Sequence, residues 1–159
     1  MLHYKKIFRE PDEGKQLQLI VDACEYYENT LSTVMKDYKA PLEGKIAIAQ
    51  SRMAGLVTEN YSCLQDLEII LQHITTLEDK RLINRAKYFK ESYPRDLSDR
   101  MAEKYADAHD DVQDVRLIRH YVAHVRNQYL AISKGLEVMH YQIGNVTKLR
   151  CAGLDDAEF

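Results

Sequence analysis

A run of apolar residues near the C-terminal end constrains the fold of this chain most strongly. Ten apolar positions are separated by alternating steps of three and four residues, without an interruption. This spacing is typical of a long helix that buries one narrow stripe against other helices. The stripe, called the seam below, consists of Val115, Ile118, Val122, Val125, Tyr129, Ile132, Leu136, Met139, Ile143 and Val146.

Charged residues on both sides of the seam indicate where its helix begins and ends. Asp110 and Asp111 suit a helix N-terminus, and Arg150 precedes a stop at Gly153. A helix over 111–150 would be about 60 Å long, whereas a compact domain of this size is about 40 Å across. We therefore expect it to pack against a partner or copies of itself, in a ring-like homo-oligomeric bundle. The alternative is an elongated monomeric bundle whose other long helices line the seam.

The remaining sequence favours an elongated all-α protein with long amphipathic helices. Six Gly and three Pro are few for 159 residues, and long periodic runs fill the intervals between them. The apolar content of 45% suffices for one domain with a core. Neither a membrane-spanning run of about 18 apolar residues nor a signal peptide is recognisable, so a cytoplasmic protein is expected.

Three helices are predicted ahead of the seam. Apolar residues at helical spacing indicate a first helix over 12–38 and a second from about 43 to Ser92, with a division near Thr75 conceivable. Ser98 suits the N-cap of a short third helix. The predicted segments of the single domain are 1–40 (N-terminal arm, either ordered on a neighbour or frayed, and first helix), 41–109 (central helical segment), 110–153 (oligomerisation helix) and 154–159 (acidic tail).

The three cysteines exclude two classes of small scaffold. Cys24, Cys63 and Cys151 lie far apart and form no CxxC pair, which argues against a disulfide framework and a zinc ribbon. We expect them to be buried as small apolar side chains.

The window 80–90 stands out in a chain whose net charge is −3, because it contains five cations and no acid. On a helix, Leu82, Ala86 and Phe89 share one face, and the cations surround Tyr88 on the other. Cations that follow phosphates and a ring that stacks on a base suit single-stranded nucleic acid. The alternative is a solvated face whose cations pair with acids at helical spacing. The candidate DNA-binding residues, called the basic strip below, are Lys80, Arg81, Arg85, Lys87, Tyr88 and Lys90.

Several short motifs resemble the UvsY-type recombination mediators of T-even-like phages. That family has Lys-Ala-Arg ahead of a Tyr-Tyr pair, and here Arg85-Ala86-Lys87 precedes Tyr88-Phe89. The charged stretch 105–112 resembles the start of the family's last helix, and 145–150 resembles its end. The resemblance covers roughly 45–152 and leaves the first helix unmatched.

The resemblance implies a closed homo-oligomer, a hexamer or heptamer, that binds single-stranded DNA. It also implies that the protein helps a RecA-like recombinase load onto strands covered by single-strand-binding protein, in the host cell cytoplasm if it is phage-encoded. By similarity, Arg85 and Lys87 are the first candidates for phosphate contact and Tyr88 for stacking. A coiled-coil assembly or adaptor protein without nucleic-acid affinity is the alternative.

Other signals for a site are weaker. His120 and His124 have a metal-binding spacing, but no carboxylate is near them on the helix. Glu137 and His140 form a single Glu-x-x-His motif, whereas a di-iron bundle needs two. We therefore expect no metal, no cofactor and no catalytic residues. The tail 154–159 resembles the acidic, Phe-terminated tails of bacterial single-strand-binding proteins, although a disordered tail without a role is the simpler interpretation.

Overall fold

A computed structural model describes residues 2–39, 46–93 and 97–153, and the side chains of all of these except 33–39 and 46–52. The described residues are helical and contain no strand, so the all-α prediction is confirmed. The helices are α1 (His3–Arg9), α2 (Glu13–Lys39), α3 (Ile46–Ser92), α4 (Asp99–Asp107) and α5 (Asp110–Cys151). The acidic tail lies outside the described residues, as do Pro41, Gly44 and Pro94, whose residue types suit the ends of the first and second predicted helices.

The predicted helices agree closely with the structure. The first, central and C-terminal helices end within a few residues of α2, α3 and α5. The conceivable division near Thr75 is absent: α3 is continuous there, and the Thr75 hydroxyl donates to the Leu71 carbonyl one turn earlier. The chain leaves α5 through Gly153, whose φ of 86° is in the left-handed region that favours glycine.

The chain packs as two compact units that divide the long helices between them. Unit 1 comprises Met1–Glu25 and Asp66–His124, and unit 2 comprises Tyr26–Gln65 and Val125–Phe159. Each unit therefore contains a part of α2, α3 and α5, while α1 and α4 belong to unit 1. The four segments predicted from the sequence follow helix ends and do not coincide with these units.

The seam lies in the core of the single chain. Six of its residues are at most 1% exposed: Val115, Val122, Val125, Tyr129, Leu136 and Ile143. In unit 2, Leu136 and Ile143 form an apolar cluster with Met53 of α3. This is the packing of the monomeric-bundle alternative. Contact between copies through the seam stays a prediction. Such contact would require the contacts of the seam within the chain to be exchanged for contacts between chains.

The buried stripe of α3 includes polar residues that the apolar pattern did not predict. Asn60 and Glu78 are buried on it, whereas the neighbouring Tyr61 is exposed. The buried members of the stripe follow one another at steps of three, four or seven residues, and they are Met53, Asn60, Leu64, Leu67, Ile74 and Glu78.

The prediction of a frayed or neighbour-bound N-terminal arm is wrong. Residues His3–Arg9 form α1, and Ile7 is buried in unit 1. The buried carboxylate of Asp66 accepts hydrogen bonds from the backbone N–H groups of His3 and Tyr4. A negative charge at this end satisfies helix donors that lack an internal partner, so a residue of α3 caps α1.

The prediction that all three cysteines are buried is right only for Cys24. Cys63 is partly buried, and Cys151 is exposed at the end of α5. No helix in the described part of the chain combines the length and apolar character needed to cross a membrane.

Candidate nucleic-acid interface

The basic strip lies on the C-terminal half of α3, in unit 1. The core-facing stripe of α3 continues from Glu78 through positions 81 and 85, because these follow at steps of three and four residues. Arg81 and Arg85 are accordingly part-buried, whereas Lys80 and Lys87 are exposed. The strip is therefore divided between two faces of the helix.

Arg81 is committed to contacts inside unit 1. Its Nε donates to Glu13 Oε1 at 2.6 Å, and its Nη1 donates to the Asp111 carbonyl at 2.9 Å. The Arg81 guanidinium thus joins the first turns of α2 and α5 to α3. Such charge-assisted bonds are among the stronger polar contacts in proteins, so Arg81 is mainly structural.

Arg85 has both a carboxylate and a ring as partners. Its guanidinium forms an ion pair with the Asp111 carboxylate, and its Cζ lies 6.0 Å from the centre of the Tyr88 ring. The second contact is at the outer limit of a cation–π interaction. Arg85 therefore joins α3 to α5 and lies beside the exposed Tyr88 ring.

Lys80 and Lys87 are the cations most available to solvent. Their side chains are 63% and 72% exposed, and their Nζ atoms lie 3.8 Å from Glu13 and 3.9 Å from Glu91. The two lysines are seven residues apart, so they project from the same side of α3 at a distance of two turns. Exposed ion pairs at this separation contribute about 0 to 1 kcal/mol, which leaves both lysines able to change partner.

Lys90 is paired at the end of α3. Its ammonium group donates to the Asp99 carboxylate at the start of α4. This hydrogen bond raises the pKa of Lys90 and lowers the pKa of Asp99. Both groups are exposed, so the pair holds α4 against α3 without desolvating either charge.

The basic strip is therefore close to neutral in its surroundings. Its five cations are matched by the carboxylates of Glu13, Glu91, Asp99 and Asp111. Three of these acids lie on α2, α4 and α5, and the sequence of the strip gave no sign of them. A cavity of about 370 Å³ lies beside these partners and is lined by Glu13, Lys80, Arg81, Asn84, Arg85 and Asp111.

A second charged cluster in unit 1 was not predicted. The Arg116 Nε donates to Glu78 Oε1 at 2.8 Å, and the Arg119 Nε lies 2.6 Å from Glu78 Oε2. Arg116 also donates to the Asp107 carboxylate, and this hydrogen bond lowers the pKa of Asp107. The buried Glu78 between two arginines is thus a structural ion cluster joining α3, α4 and α5. Among the described residues, no three His, Cys, Asp or Glu side chains are grouped so as to hold a metal ion.

Comparison with known proteins gives no relative for this arrangement. No protein-family model, curated protein or solved structure matches the chain.

Proposed function

We propose that this chain is a recombination mediator: it binds single-stranded DNA as a homo-oligomer and promotes loading of a RecA-like recombinase onto strands coated by single-strand-binding protein. The observation that carries the proposal is the solvent-facing side of α3, where Lys80, Lys87 and Tyr88 are each more than half exposed. The motif resemblance around Arg85 and Lys87 supports the remaining, more specific parts of the role.

The ion pairs of the basic strip determine which of its cations are available to contact DNA. A phosphate can displace Glu13 from Lys80 and Glu91 from Lys87, because both ion pairs are long and both lysines are exposed. Arg81 would lose two short hydrogen bonds by turning outward, so it contributes to folding and only indirectly to binding. The proposal therefore rests most on the two lysines and Tyr88.

The proposal includes assembly because one copy alone is expected to bind DNA weakly. A few lysine–phosphate contacts give little affinity, whereas a symmetric oligomer that presents several copies along one strand gains avidity. Because the seam is buried in the chain, a hexamer or heptamer formed through it needs exchange of α5 between copies. The recombinase and the single-strand-binding protein are proposed partners on the motif resemblance alone.

The test is binding of a labelled single-stranded oligonucleotide, measured by fluorescence anisotropy over a range of salt concentrations. The affinity should fall with salt, with a log–log slope of about −0.7 per phosphate neutralised. The double variant Lys80→Glu/Lys87→Glu should bind more weakly and lose about 1.4 from the magnitude of the slope per subunit engaged. The matched control is Lys134→Glu, which reverses the charge of an exposed lysine on α5 in unit 2.

Reversing the charge at Arg85 is the less informative variant. A glutamate there would face Asp111 and would weaken the joint between α3 and α5, so a loss of binding would mix folding with DNA contact. Wild-type protein that fails to bind single-stranded DNA at low salt would contradict the proposal.

A second candidate is favoured by one observation. Every cation of the basic strip has an acidic partner within the chain, as expected if the strip only joins helices. The protein would then be a helical assembly or adaptor protein without nucleic-acid affinity. Its signature is the absence of salt-dependent binding in the same anisotropy experiment.

A further inference from the structure

Four aromatic rings meet where the end of α3 approaches α4. Tyr93 and Tyr105 are stacked, with ring centres 5.9 Å apart and planes 17° from parallel. Phe89 lies 5.9 Å from Tyr105 and 5.8 Å from Tyr88. These four residues, Tyr88, Phe89, Tyr93 and Tyr105, form a continuous chain of ring contacts that we call the aromatic cluster.

The aromatic cluster is open to solvent. Tyr88, Tyr93 and Tyr105 are 54%, 45% and 40% exposed, and Phe89 is partly buried beneath them. Single exposed apolar residues are ordinary, but a group of neighbouring exposed rings marks an interaction site. The near-parallel Tyr93–Tyr105 pair is also the offset stack that aromatic rings prefer, and another flat ring can extend such a stack.

The surroundings of the cluster indicate what binds there. The Arg85 guanidinium lies over the Tyr88 ring, and the exposed cations Lys87 and Lys104 neighbour Tyr88 and Tyr105 in the sequence. Flat rings beside cations match a ligand that has flat rings on an anionic backbone. Stacking on aromatic side chains contributes about 1 to 3 kcal/mol per base and tolerates any base.

We infer that the aromatic cluster is a stacking platform for the unpaired bases of a single strand, with Tyr93 and Tyr105 as its principal stacking residues. This inference rests on the proposed DNA-binding function and deepens it, because it assigns the recognised group to the base and not only to the phosphate. It also predicts a preference for single strands, since the base faces of a duplex are already stacked on one another.

The experiment compares an oligonucleotide with its abasic counterpart, which has the same phosphates and no bases. Wild-type protein should bind the base-containing strand more tightly. Tyr93→Leu/Tyr105→Leu should weaken that binding at least about fivefold per ring and leave binding of the abasic strand unchanged. Tyr93→Phe/Tyr105→Phe, which keeps both rings, should retain the wild-type affinity. Tyr141→Leu, at an exposed tyrosine of unit 2, is the matched control.

A second readout follows from the absence of tryptophan in the chain. The ultraviolet emission of the protein therefore comes from tyrosine. Bases that stack on the aromatic cluster should quench this emission in the wild type, and a bound strand should quench it less in the Tyr93→Leu/Tyr105→Leu variant. Equal wild-type affinity for the normal and abasic strands would overturn the stacking inference while leaving phosphate binding intact. Wild-type protein that binds neither strand would overturn the inference and the proposed function together.

Discussion

Unit 1 and unit 2 contain parts of the same three long helices, but different polar groups connect these helices in the two units. In unit 1, the carboxylate of Glu78 is buried between Arg116 and Arg119. In unit 2, neutral groups take this place: the Asn60 amide donates to the Tyr129 carbonyl at 3.2 Å and to the Ser133 hydroxyl. The side chains of Arg116 and Arg119 are 24% and 32% exposed, whereas Asn60 and Ser133 are at most 5% exposed. The exposed cations and rings of the candidate interface lie in unit 1.

The polar group at the centre of unit 2 is the Tyr129 hydroxyl. It donates to the Tyr27 carbonyl at 3.0 Å, while the two rings meet edge to face. Burial, with Cys63 nearby, raises the pKa of Tyr129 far above its ordinary value. The tyrosine therefore remains neutral over the ordinary range of pH.

The largest effect is expected from a charge placed in the seam. Val125 is fully buried at the start of the unit 2 part of α5. Val125→Asp should destabilise the chain by more than about 4 kcal/mol, because an unpaired carboxylate has no partner in an apolar core. Thermal unfolding followed by circular dichroism measures this change, with the exposed Val138→Asp as the control. A stable Val125→Asp chain with an altered native mass would mean that the seam serves contacts between copies.

The next effect tests the ion cluster of unit 1. Glu78→Gln keeps the shape of the side chain and removes its charge, so both arginines lose their common partner. Because the arginine side chains are partly exposed, we expect a loss of about 2 kcal/mol, less than for a fully buried pair. Urea unfolding of this variant beside Glu59→Gln, an exposed position in unit 2, gives the difference. Equal stability of the two variants would show that the cluster contributes nothing.

A smaller effect is expected from the corresponding change in unit 2. Tyr129→Phe removes the hydroxyl that donates to the Tyr27 carbonyl and leaves the ring contact in place. The free energy of unfolding should fall by about 1 kcal/mol, the usual net contribution of a hydrogen bond. Tyr141→Phe, at an exposed ring, should have no effect in the same unfolding experiment. A Tyr129→Phe chain as stable as the wild type would contradict the role given to this bond.

The smallest effect concerns the pH dependence of stability and arises in unit 1. Burial lowers the pKa of His73, which contacts Gln16 in unit 1, against a partial opposing effect of Glu13. The unfolded chain therefore takes up this proton first, and stability present above pH 6.5 should decline as the pH falls below it. The loss should be small, since the ring is partly solvated. His73→Gln should remove this part of the pH dependence of the free energy of unfolding. The same pH dependence in the variant and the wild type would contradict the assignment to His73.

The helices could be predicted from the sequence because their apolar residues repeat at helical spacing over many turns. The repeat of the seam predicted α5 to within a few residues. It did not reveal what covers the seam, because a helix packs the same stripe against its own chain or another. The short α1 escaped prediction, since the residue that caps it, Asp66, lies on α3.

The candidate site was harder to predict than the fold. A helical wheel places Arg81 and Arg85 beside the other cations, but their acidic partners come from α2 and α5, far away in the sequence. Asn60 and Glu78 were missed for a related reason, because a pattern of apolar residues cannot identify a polar residue whose partners bury it. Tyr93 and Tyr105 become neighbours only through the packing of α4 against the end of α3.

Native mass spectrometry with and without a single-stranded oligonucleotide tests both parts of the proposed function at once, because it reports assembly and ligand together. We expect a closed homo-oligomer, a hexamer or heptamer, whose mass at low ionic strength increases by that of the bound strand. The Lys80→Glu/Lys87→Glu variant should keep the oligomer mass and lose the strand. A monomer whose mass does not change when the oligonucleotide is added would contradict the account.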